Sequence, residues 1–346
     1  MPIAVILCAL NKTSPIHQGL LYCYKFSMNI APMIAQIIKD SMSSSEQALL
    51  AQASISLSNR YREGDYKQRP PTLIERYAYL LARFPATLEA VSSVLSILKE
   101  QLPNFAPRSV IDVGAGPATA SWAALELFDF THLLLIEKDA AWIALGKKIA
   151  SHNSRLNQAS WLEHDLNNLL DIKPADLIIA SYSFQELASL RQESLALELY
   201  RKTLQALVFI EPGTPRGFAN IRTLREILIK EGAHIIGPCS HESPCPLVAT
   251  NWCHFSVRLS RHELHRRVKN ASMGYEDEKY SYLIVSPHPA HKPYARVLRP
   301  PQKRTGHVIL DLCSESEQKQ EIITRSQKNL YREAKKLRWG DSWNKN

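Results

Sequence analysis

A regular alternation of short apolar runs and amphipathic stretches between residues 107 and 236 constrains the fold of this chain more than any other feature. The apolar runs occupy residues 109–113, 132–136, 176–180 and 206–210. The stretches between them carry apolar residues at three- and four-residue spacing, as amphipathic helices do. Strands that alternate with helices pair in parallel through crossovers, so the pattern predicts an open, doubly wound α/β sheet.

The segments around this predicted sheet differ from it in character. We expect residues 1–45 to be a leader, either disordered or partly untranslated before Met28, residues 46–105 to be helical, and residues 106–236 to form the sheet domain. Residues 237–286 hold a cysteine cluster, a basic segment and a last sheet strand. Residues 287–346 are expected to form a small β appendage with a basic tail. No run of about 20 apolar residues occurs, so no membrane span is expected.

The composition favours a polyanionic partner and a reducing compartment. The 346 residues include 42 Lys and Arg against 33 Asp and Glu, a formal net charge of +9. A basic surface attracts nucleic acid, although a mild excess of positive charge is common to many soluble proteins. Six cysteines are too few for a disulfide scaffold, and the leader is not Arg-rich like a transit peptide. We therefore expect a bacterial cytoplasmic protein whose clustered cysteines bind a metal or act in catalysis.

A glycine-rich loop gives the sharpest nucleotide signal. Asp112-Val-Gly-Ala-Gly-Pro-Ala-Thr119 follows a predicted strand and opens a predicted helix, and Gly114 and Gly116 allow close approach of the backbone to a ligand. A dinucleotide site prefers a smaller residue at position 119, so that interpretation is weaker, and a degenerate site that binds nothing is a third. The Asp112 carboxylate instead suits a cationic ligand such as S-adenosylmethionine.

Two further acidic residues follow at the ends of the next predicted strands. Glu137 is placed to accept hydrogen bonds from ribose hydroxyls, and Asp165 from an adenine amino group. The ordered set Asp112, Glu137 and Asp165 is more specific than a glycine motif alone. It predicts an S-adenosylmethionine-binding domain of the class I methyltransferase type.

The sequence leaves the catalytic residue unassigned. Many amino-group methyltransferases of nucleic acid carry Asn/Asp-Pro-Pro-aromatic after the fourth strand, where this chain has Ser-Tyr-Ser-Phe-Gln-Glu over residues 181–186. Tyr182 and Phe184 are candidates for stacking a base or for packing under the loop, and Glu186 is the third candidate. Methyl transfer needs mainly in-line positioning, so a missing general base does not exclude activity.

Four cysteines are candidates for a metal centre: Cys239, Cys245, Cys253 and Cys313. Four thiolates close a tetrahedral zinc site or hold an iron–sulfur cluster. The spacing departs from the CxxC knuckle of zinc ribbons, and the long Pro-containing loops favour the bulkier cluster. His241 and His254 are alternative ligands. Plain structural thiols and a nucleophilic cysteine are the other interpretations.

A basic segment follows the cysteine cluster. Its candidates for RNA contact are Arg258, Arg261, Arg266, Arg267 and Lys269. Histidines and a tyrosine lie between them, and basic side chains interleaved with aromatic ones suit phosphate contact with base stacking. RNA is therefore the expected partner, with neither DNA nor a membrane, and a solvated charged face is the alternative.

Five segments together resemble a known family: residues 112–122, 211–215, 239–255, 276–282 and 306–313. They are similar to the methyltransferase-like proteins of small-ribosomal-subunit assembly, relatives of mitochondrial methyltransferase-like protein 17, over about residues 50–345. The resemblance implies a class I methyltransferase fold, association with small-subunit ribosomal RNA, and a [4Fe-4S] cluster on the four cysteines. One departure is Ala118, where the family usually has glycine.

Three functions follow from these features. The first is S-adenosylmethionine-dependent methylation of ribosomal RNA. The second is a non-catalytic assembly role with a structural zinc or iron–sulfur site, which the absent Asn-Pro-Pro-aromatic motif and the long basic segment favour. The third is a redox or iron sensor.

Overall fold

The structure is a computed structural model that describes residues 30–63, 71–247, 251–315 and 317–345. Its first four helices are α1 (residues 30–41), α2 (Ser44–Glu63), α3 (Leu73–Ala82) and α4 (Phe84–Gln101). A capping box starts α3: the Thr72 side chain accepts from the Glu75 amide, and the Glu75 carboxylate accepts from the Thr72 amide. No single described helix is long and apolar enough to cross a bilayer, although α3 and α4, bent by 47°, reach that length and composition together.

Helix α1 corrects the expected extent of the leader. Ile34 and Ile38 lie one turn apart on α1, and each is 1% exposed. They join the main hydrophobic core, because an amphipathic helix is stable only where its apolar stripe is covered. Ordered structure therefore begins before residue 45. The expectations for residues 1–27, including Met28 as a start, lie outside the described residues.

The central sheet confirms the predicted doubly wound domain. Its strands are β1 (Ser109–Val113), β2 (His132–Glu137), β3 (Ser160–Glu163), β4 (Ala175–Ser181), β5 (Thr203–Pro212), β6 (His234–Gly237), β7 (Phe255–Ser260) and β8 (Tyr275–Ser286). The order is β3-β2-β1-β4-β5-β8-β6, with β7 paired to β8. Strands β1 to β5 run parallel, and β8 runs antiparallel to both β5 and β6. A single antiparallel strand inserted beside the fifth strand is the sheet arrangement of class I methyltransferases.

The helices of this domain cover both faces of the sheet. They are α5 (Thr119–Leu127), α6 (Ala140–Ala150), α7 (Ser189–Arg201), α8 (Pro215–Lys230) and α9 (Glu263–Val268). Two hydrophobic cores result, one on each face. The chain reverses direction of winding between β1 and β4, so a crevice opens at the carboxyl ends of these strands.

A second, antiparallel sheet follows and confirms the expected β appendage. Its elements are β9 (Ala295–Val297), β10 (Gln302–Arg304), β11 (His307–Ser314), β12 (Gln318–Thr324), α10 (Lys328–Ala334) and β13 (Ser342–Trp343). Strand β11 lies at its centre and pairs with β9, β10 and β12. Val308, Leu310 and Leu312 point to one side of β11 and pack with Trp343 in a small core of their own.

Candidate functional site

A cavity of about 1060 Å³ opens at the carboxyl ends of the parallel strands. Gly114 and Gly116 line it with positive φ angles of 70° and 53°. A Cβ atom at position 114 would lie 2.4 Å from the Cβ of Ser183, whereas one at position 116 would meet nothing within 4 Å. Glycine is therefore required at position 114 by both backbone and space, and at position 116 by the backbone conformation alone.

Glu137 closes the glycine loop from the neighbouring strand. Its carboxylate accepts the Gly116 amide at 2.9 Å, and the amides of Lys138 and Asp139 at 2.9 and 3.0 Å. Burial raises the pKa of the Glu137 carboxyl, while these three amides act in the opposite direction. The side chain lines the cavity.

Asp112, by contrast, does not line the cavity. It is 1% exposed, and its carboxylate accepts the Ser121 amide at 3.0 Å and the Ser121 hydroxyl at 2.7 Å. Burial raises the pKa of Asp112 to about 6. The structure thus corrects the expected ligand contact: Asp112 holds the first turn of α5 beneath the loop. Asp165 does line the cavity.

Asn167, two residues further along the chain, holds the Asp165 carboxylate in place. That carboxylate accepts the amide and the side-chain nitrogen of Asn167 at 2.9 and 2.8 Å. The amide of Asn167 is the main reason that the pKa of Asp165 lies below its usual value. Asp165 is therefore an anionic acceptor at the cavity wall.

The three candidate catalytic residues, Tyr182, Phe184 and Glu186, differ in whether they line the cavity. Phe184 is 1% exposed and packs edge-to-face on Phe209 at 4.9 Å, so the expectation that it stacks a base is wrong. Tyr182 and Glu186 line the cavity. Glu186 lies 3.5 Å from the Lys138 ammonium, and burial raises the pKa of its carboxyl.

Tyr182 has a left-handed backbone with φ of 56°, which is costly for an aromatic residue. Its hydroxyl donates to Glu278 at 3.1 Å, and Arg83 donates to both oxygens of that carboxylate at 2.9 and 3.1 Å. This network from α3 and β8 holds the strained residue at the cavity wall. The hydroxyl is therefore already committed to a carboxylate.

The four candidate cysteines line one small cavity, between α8, the loop after β6, β8 and the second sheet. Its volume is about 30 Å³, and Leu247, Leu298 and Phe218 surround it. Cys313, which lies 60 residues beyond Cys253, is thus brought to the other three by β11. Among the described residues, no three Cys, His, Asp or Glu side chains are already arranged around one metal position.

The thiols of this cavity are electrostatically unfavourable as free anions. Burial raises the pKa of Cys313 to about 12 and raises those of Cys245 and Cys253, and neighbouring thiolates raise them further. A cation bound among these thiols would favour their thiolate forms.

The two alternative histidine ligands differ in position. His241 Nε2 lies 3.5 Å from Cys313 Sγ, so His241 touches the cysteine cavity. His254 lies between two indoles, stacked on Trp252 at 5.2 Å and edge-on to Trp339 at 5.0 Å. It does not line the cavity, and its role is packing.

Sequence reasoning missed two buried arginines at the cysteine cavity, Arg225 on α8 and Arg296 on β9, with 4% and 2% exposure. A signal for Arg225 was present: it lies one turn from Ile221 and Leu228, on the apolar stripe of its helix. An arginine at an apolar position marks a buried charge with a specific partner.

The five RNA candidates are of two kinds. Arg258 pairs with Asp277 at 2.7 Å, and Arg261 and Lys269 both pair with Glu276, at 2.7 and 2.6 Å. The positive charges of these three side chains are therefore neutralised by ion pairs within the protein. The other two candidates are Arg266 and Arg267. They are exposed and form no ion pair with any described carboxylate.

A second set of exposed cations lies at one end of the second sheet: Lys303, Arg304, Arg325, Lys328 and Arg332. Strand pairing sets Arg304 opposite His307, and His307 opposite Thr324. The Arg325 amide donates to Gly306 across the same turn. None of the five pairs with a carboxylate in the described ranges. We call this set the C-terminal cationic surface.

The strand order and the glycine-loop cavity define a protein with a class I methyltransferase fold. The family model described as mitochondrial small ribosomal subunit Rsm22 matches residues 74–344, and the chain belongs to this family. Similar solved structures include magnesium protoporphyrin IX methyltransferase of Synechocystis PCC 6803 with bound SAH. It is 12% identical, with a TM-score of 0.39 over 70% of this chain and 99% of that one. N-methyltransferase NodS of Bradyrhizobium japonicum is 14% identical, with a TM-score of 0.37 over 58% and 96%.

Two curated relatives confirm the resemblance. The human mitochondrial ribosome assembly protein METTL17 is 26% identical over 284 residues, which is 76% of this chain and 61% of that protein. The mitochondrial Rsm22-cox11 tandem protein 2 of Schizosaccharomyces pombe is 27% identical over 371 residues, 88% of this chain and 47% of that protein. The chain therefore spans about half to three-fifths of the length of these relatives.

Proposed function

We propose that this chain is an assembly protein of the small ribosomal subunit in the bacterial cytoplasm, which binds S-adenosylmethionine in its large cavity and a metal centre on four cysteines. The observation that carries the proposal is the convergence of the four cysteines, which lie up to 74 positions apart in the chain, on one cavity beside the second sheet. That sheet also bears the C-terminal cationic surface. A metal centre there would fix the surface that meets RNA to the methyltransferase-like domain.

Three features support S-adenosylmethionine as the ligand of the large cavity. The backbone of Gly114 and Gly116 would contact the ligand closely, Glu137 would accept from ribose, and Asp165 from adenine. Bound there, S-adenosylmethionine supplies an electrophilic methyl group. With Asp112 buried, the carboxyl groups that line the cavity are those of Glu137, Asp139, Asp165 and Glu186.

Methylation of ribosomal RNA is a second candidate function, and the size of the cavity favours it. Typical ligand sites measure about 300–1,000 Å³, so 1060 Å³ leaves room for an acceptor beside the cofactor. Tyr182 would orient that acceptor at the wall. Its hydroxyl is engaged by Glu278, so proton removal would fall to another group or to water.

The donor set of the cysteine cavity fits a thiophilic metal. Soft thiolates select zinc or iron–sulfur clusters over oxygen-preferring cations, and an apolar surround protects a closed four-thiolate centre. We propose a [4Fe-4S] cluster, with zinc as the alternative. A cavity of about 30 Å³ admits one water-sized group, so the larger cluster requires the four sulfurs to stand further apart.

The same centre would join the two sheets. The Ser240 hydroxyl, in the loop after β6, donates to the Cys313 carbonyl on β11 at 3.2 Å. Within the main domain, the Ser281 hydroxyl of β8 donates to the Cys253 carbonyl at 2.7 Å. Cys313 therefore already lies on a contact between the main domain and the second sheet. Metal ligation at these positions would strengthen that joint.

For the RNA contact we propose the C-terminal cationic surface together with Arg266 and Arg267. These side chains have no carboxylate partner among the described residues, so each is available for a phosphate. Neither DNA nor a membrane is required by this proposal. The salt-sensitive part of binding would come from this surface.

The test is sedimentation of the purified chain with immature small subunits, combined with transfer of labelled methyl groups from S-adenosylmethionine. Gly116→Arg is the informative variant because a Cβ atom at position 116 meets no protein atom within 4 Å and the position lines the cavity. We expect the variant to sediment with the subunits and to lose S-adenosylmethionine binding, while its thermal unfolding shows that it is folded. Failure of the wild-type chain to sediment with small subunits at physiological salt would overturn the assembly role.

A further inference from the structure

Two positive charges are buried at the wall of the cysteine cavity, and neither is paired with a carboxylate among the described residues. Arg225 and Arg296 both line that cavity and are over nine-tenths buried. Arg225 reaches it from helix α8, and Arg296 from strand β9 of the second sheet. A buried guanidinium is stable only when its charge is compensated and its N–H groups are accepted.

Their hydrogen bonds go to neutral backbone carbonyls. Arg225 donates to the carbonyls of His241 and Ser243 at 2.9 and 2.8 Å. Arg296 donates to those of Pro238 and Gly340 at 2.7 and 3.0 Å. Neither arginine forms an ion pair with any carboxylate in the part of the chain that the structure describes.

Each arginine also keeps one buried N–H group without an acceptor, Nε of Arg225 and Nη2 of Arg296. Glu100 and Asp341 are near enough to Arg296 to feel its charge, yet neither comes within ion-pair distance of it. The wall of this cavity thus holds two positive charges and two N–H donors without acceptors, and an anion bound there would satisfy both.

We infer that Arg225 and Arg296 are the counter-charges of an anionic tetrathiolate metal centre, and that their spare N–H groups are donors to its sulfur atoms. This inference rests on the proposed metal centre. Four thiolates around Zn²⁺, or around an oxidised [4Fe-4S] core, carry a net charge of about −2. Two guanidiniums match that charge, and N–H donors to sulfur stabilise thiolate ligation.

This arrangement makes the arginines positioning residues rather than ligands. Arg225 fixes the loop that carries Cys239 and Cys245 through its carbonyl contacts at His241 and Ser243. Arg296 ties the same loop to the second sheet at Pro238. Loss of either side chain removes one charge and one loop contact, while all four thiols remain.

The test compares Arg225→Met and Arg296→Met with the wild-type chain, with Lys230→Met as the matched control. Methionine keeps an unbranched apolar side chain and removes the charge. Lys230 lies on the same helix as Arg225 but is exposed at its last turn. The measurements are iron, sulfide and zinc per chain after anaerobic purification, the rate of metal release to a chelator, and far-ultraviolet circular dichroism for folding.

We expect both variants to release metal roughly 10- to 100-fold faster than wild type, as outer-shell substitutions do, and Lys230→Met to match wild type. Folded methionine variants that retain metal like wild type would overturn the inference and leave the metal centre standing. A wild-type chain without metal would overturn both, whereas sedimentation with small subunits tests the assembly role separately.

Lysine variants keep the test decisive if a methionine variant does not fold. Arg225→Lys and Arg296→Lys retain the charge and lose the planar fork. We expect them to retain metal and to release it faster than wild type and Lys230→Met do, because the charge remains while the planar fork is lost. Complete loss of metal from folded lysine variants would overturn the counter-charge assignment, because the charge would still be present.

Discussion

The glycine loop gives a prediction in which two neighbouring glycines are expected to differ. Alanine at position 116 faces open space and bears only the left-handed backbone penalty, about 1 kcal/mol. Alanine at position 114 bears the same penalty and also places its Cβ 2.4 Å from the Cβ of Ser183. That atom is fixed to the backbone, and the Ser183 hydroxyl donates to the Val113 carbonyl at 3.0 Å, so neither can rotate aside.

Overpacking of this kind costs about 1–3 kcal/mol, so Gly114→Ala should lose about 2–4 kcal/mol of unfolding free energy against about 1 kcal/mol for Gly116→Ala. Urea denaturation of the two variants and the wild type measures the difference. S-adenosylmethionine titration then shows whether the loop of Gly116→Ala still binds. Equal destabilisation of the two variants would refute the placement of Ser183 against the loop.

Three further predictions concern pH, strain and RNA. Burial raises the pKa of Glu211 to about 8, so the folded state binds the extra proton and stability should fall by up to about 1.4 kcal/mol per unit from pH 5 to 8. Glu211→Gln should flatten that pH profile in thermal unfolding. Ala118 has a positive φ of 67°, and Ala118→Gly removes the strain that this angle imposes on a side chain. Denaturation should show a gain in unfolding free energy below about 1 kcal/mol, because glycine also increases the entropy of the unfolded chain. Arg304→Ala and Arg325→Ala should each weaken small-subunit binding and reduce its salt dependence. Filter binding to small subunits over a range of salt concentrations measures both effects. Arg258→Ala, whose charge Asp277 already pairs, should change this binding little.

The parallel sheet was predictable because its strands are buried on both faces. Residues 177–180 and 206–210 read as continuous apolar runs, as such strands do, and they lie in the observed β4 and β5. Strand β7 was not predicted, although Phe255, Val257 and Leu259 alternate with polar residues and are buried. Because of its basic side chains, this segment was interpreted by its charge and not by its two-residue hydrophobic period.

Side-chain direction limits what a motif reveals about a site. Asp112 precedes the glycine loop at the expected place, yet it lies within β1 and turns beneath the loop to Ser121. Phe184 follows β4 in the acceptor position but packs on Phe209. A one-residue change of direction in an extended segment moves a side chain to the other face, and sequence spacing alone does not fix it.

The buried charges were hidden for a different reason. Arg225 and Arg296 acquire meaning only when α8 and β9 close on the same four thiols, which lie on three other segments. That the four cysteines share one site was predictable, since clustered thiols outside a disulfide framework often bind a metal together. Their counter-charges depend on tertiary contacts.

The decisive measurement for the four-cysteine metal centre is the metal content of the anaerobically purified chain, with the Cys313→Ala variant beside it. We expect about four iron and matching sulfide per wild-type chain, a brown colour, and a marked loss of metal in the variant. One tightly held zinc per chain would support the alternative centre. A colourless wild-type chain, free of iron and zinc and with four thiols open to titration, would show that no such centre forms.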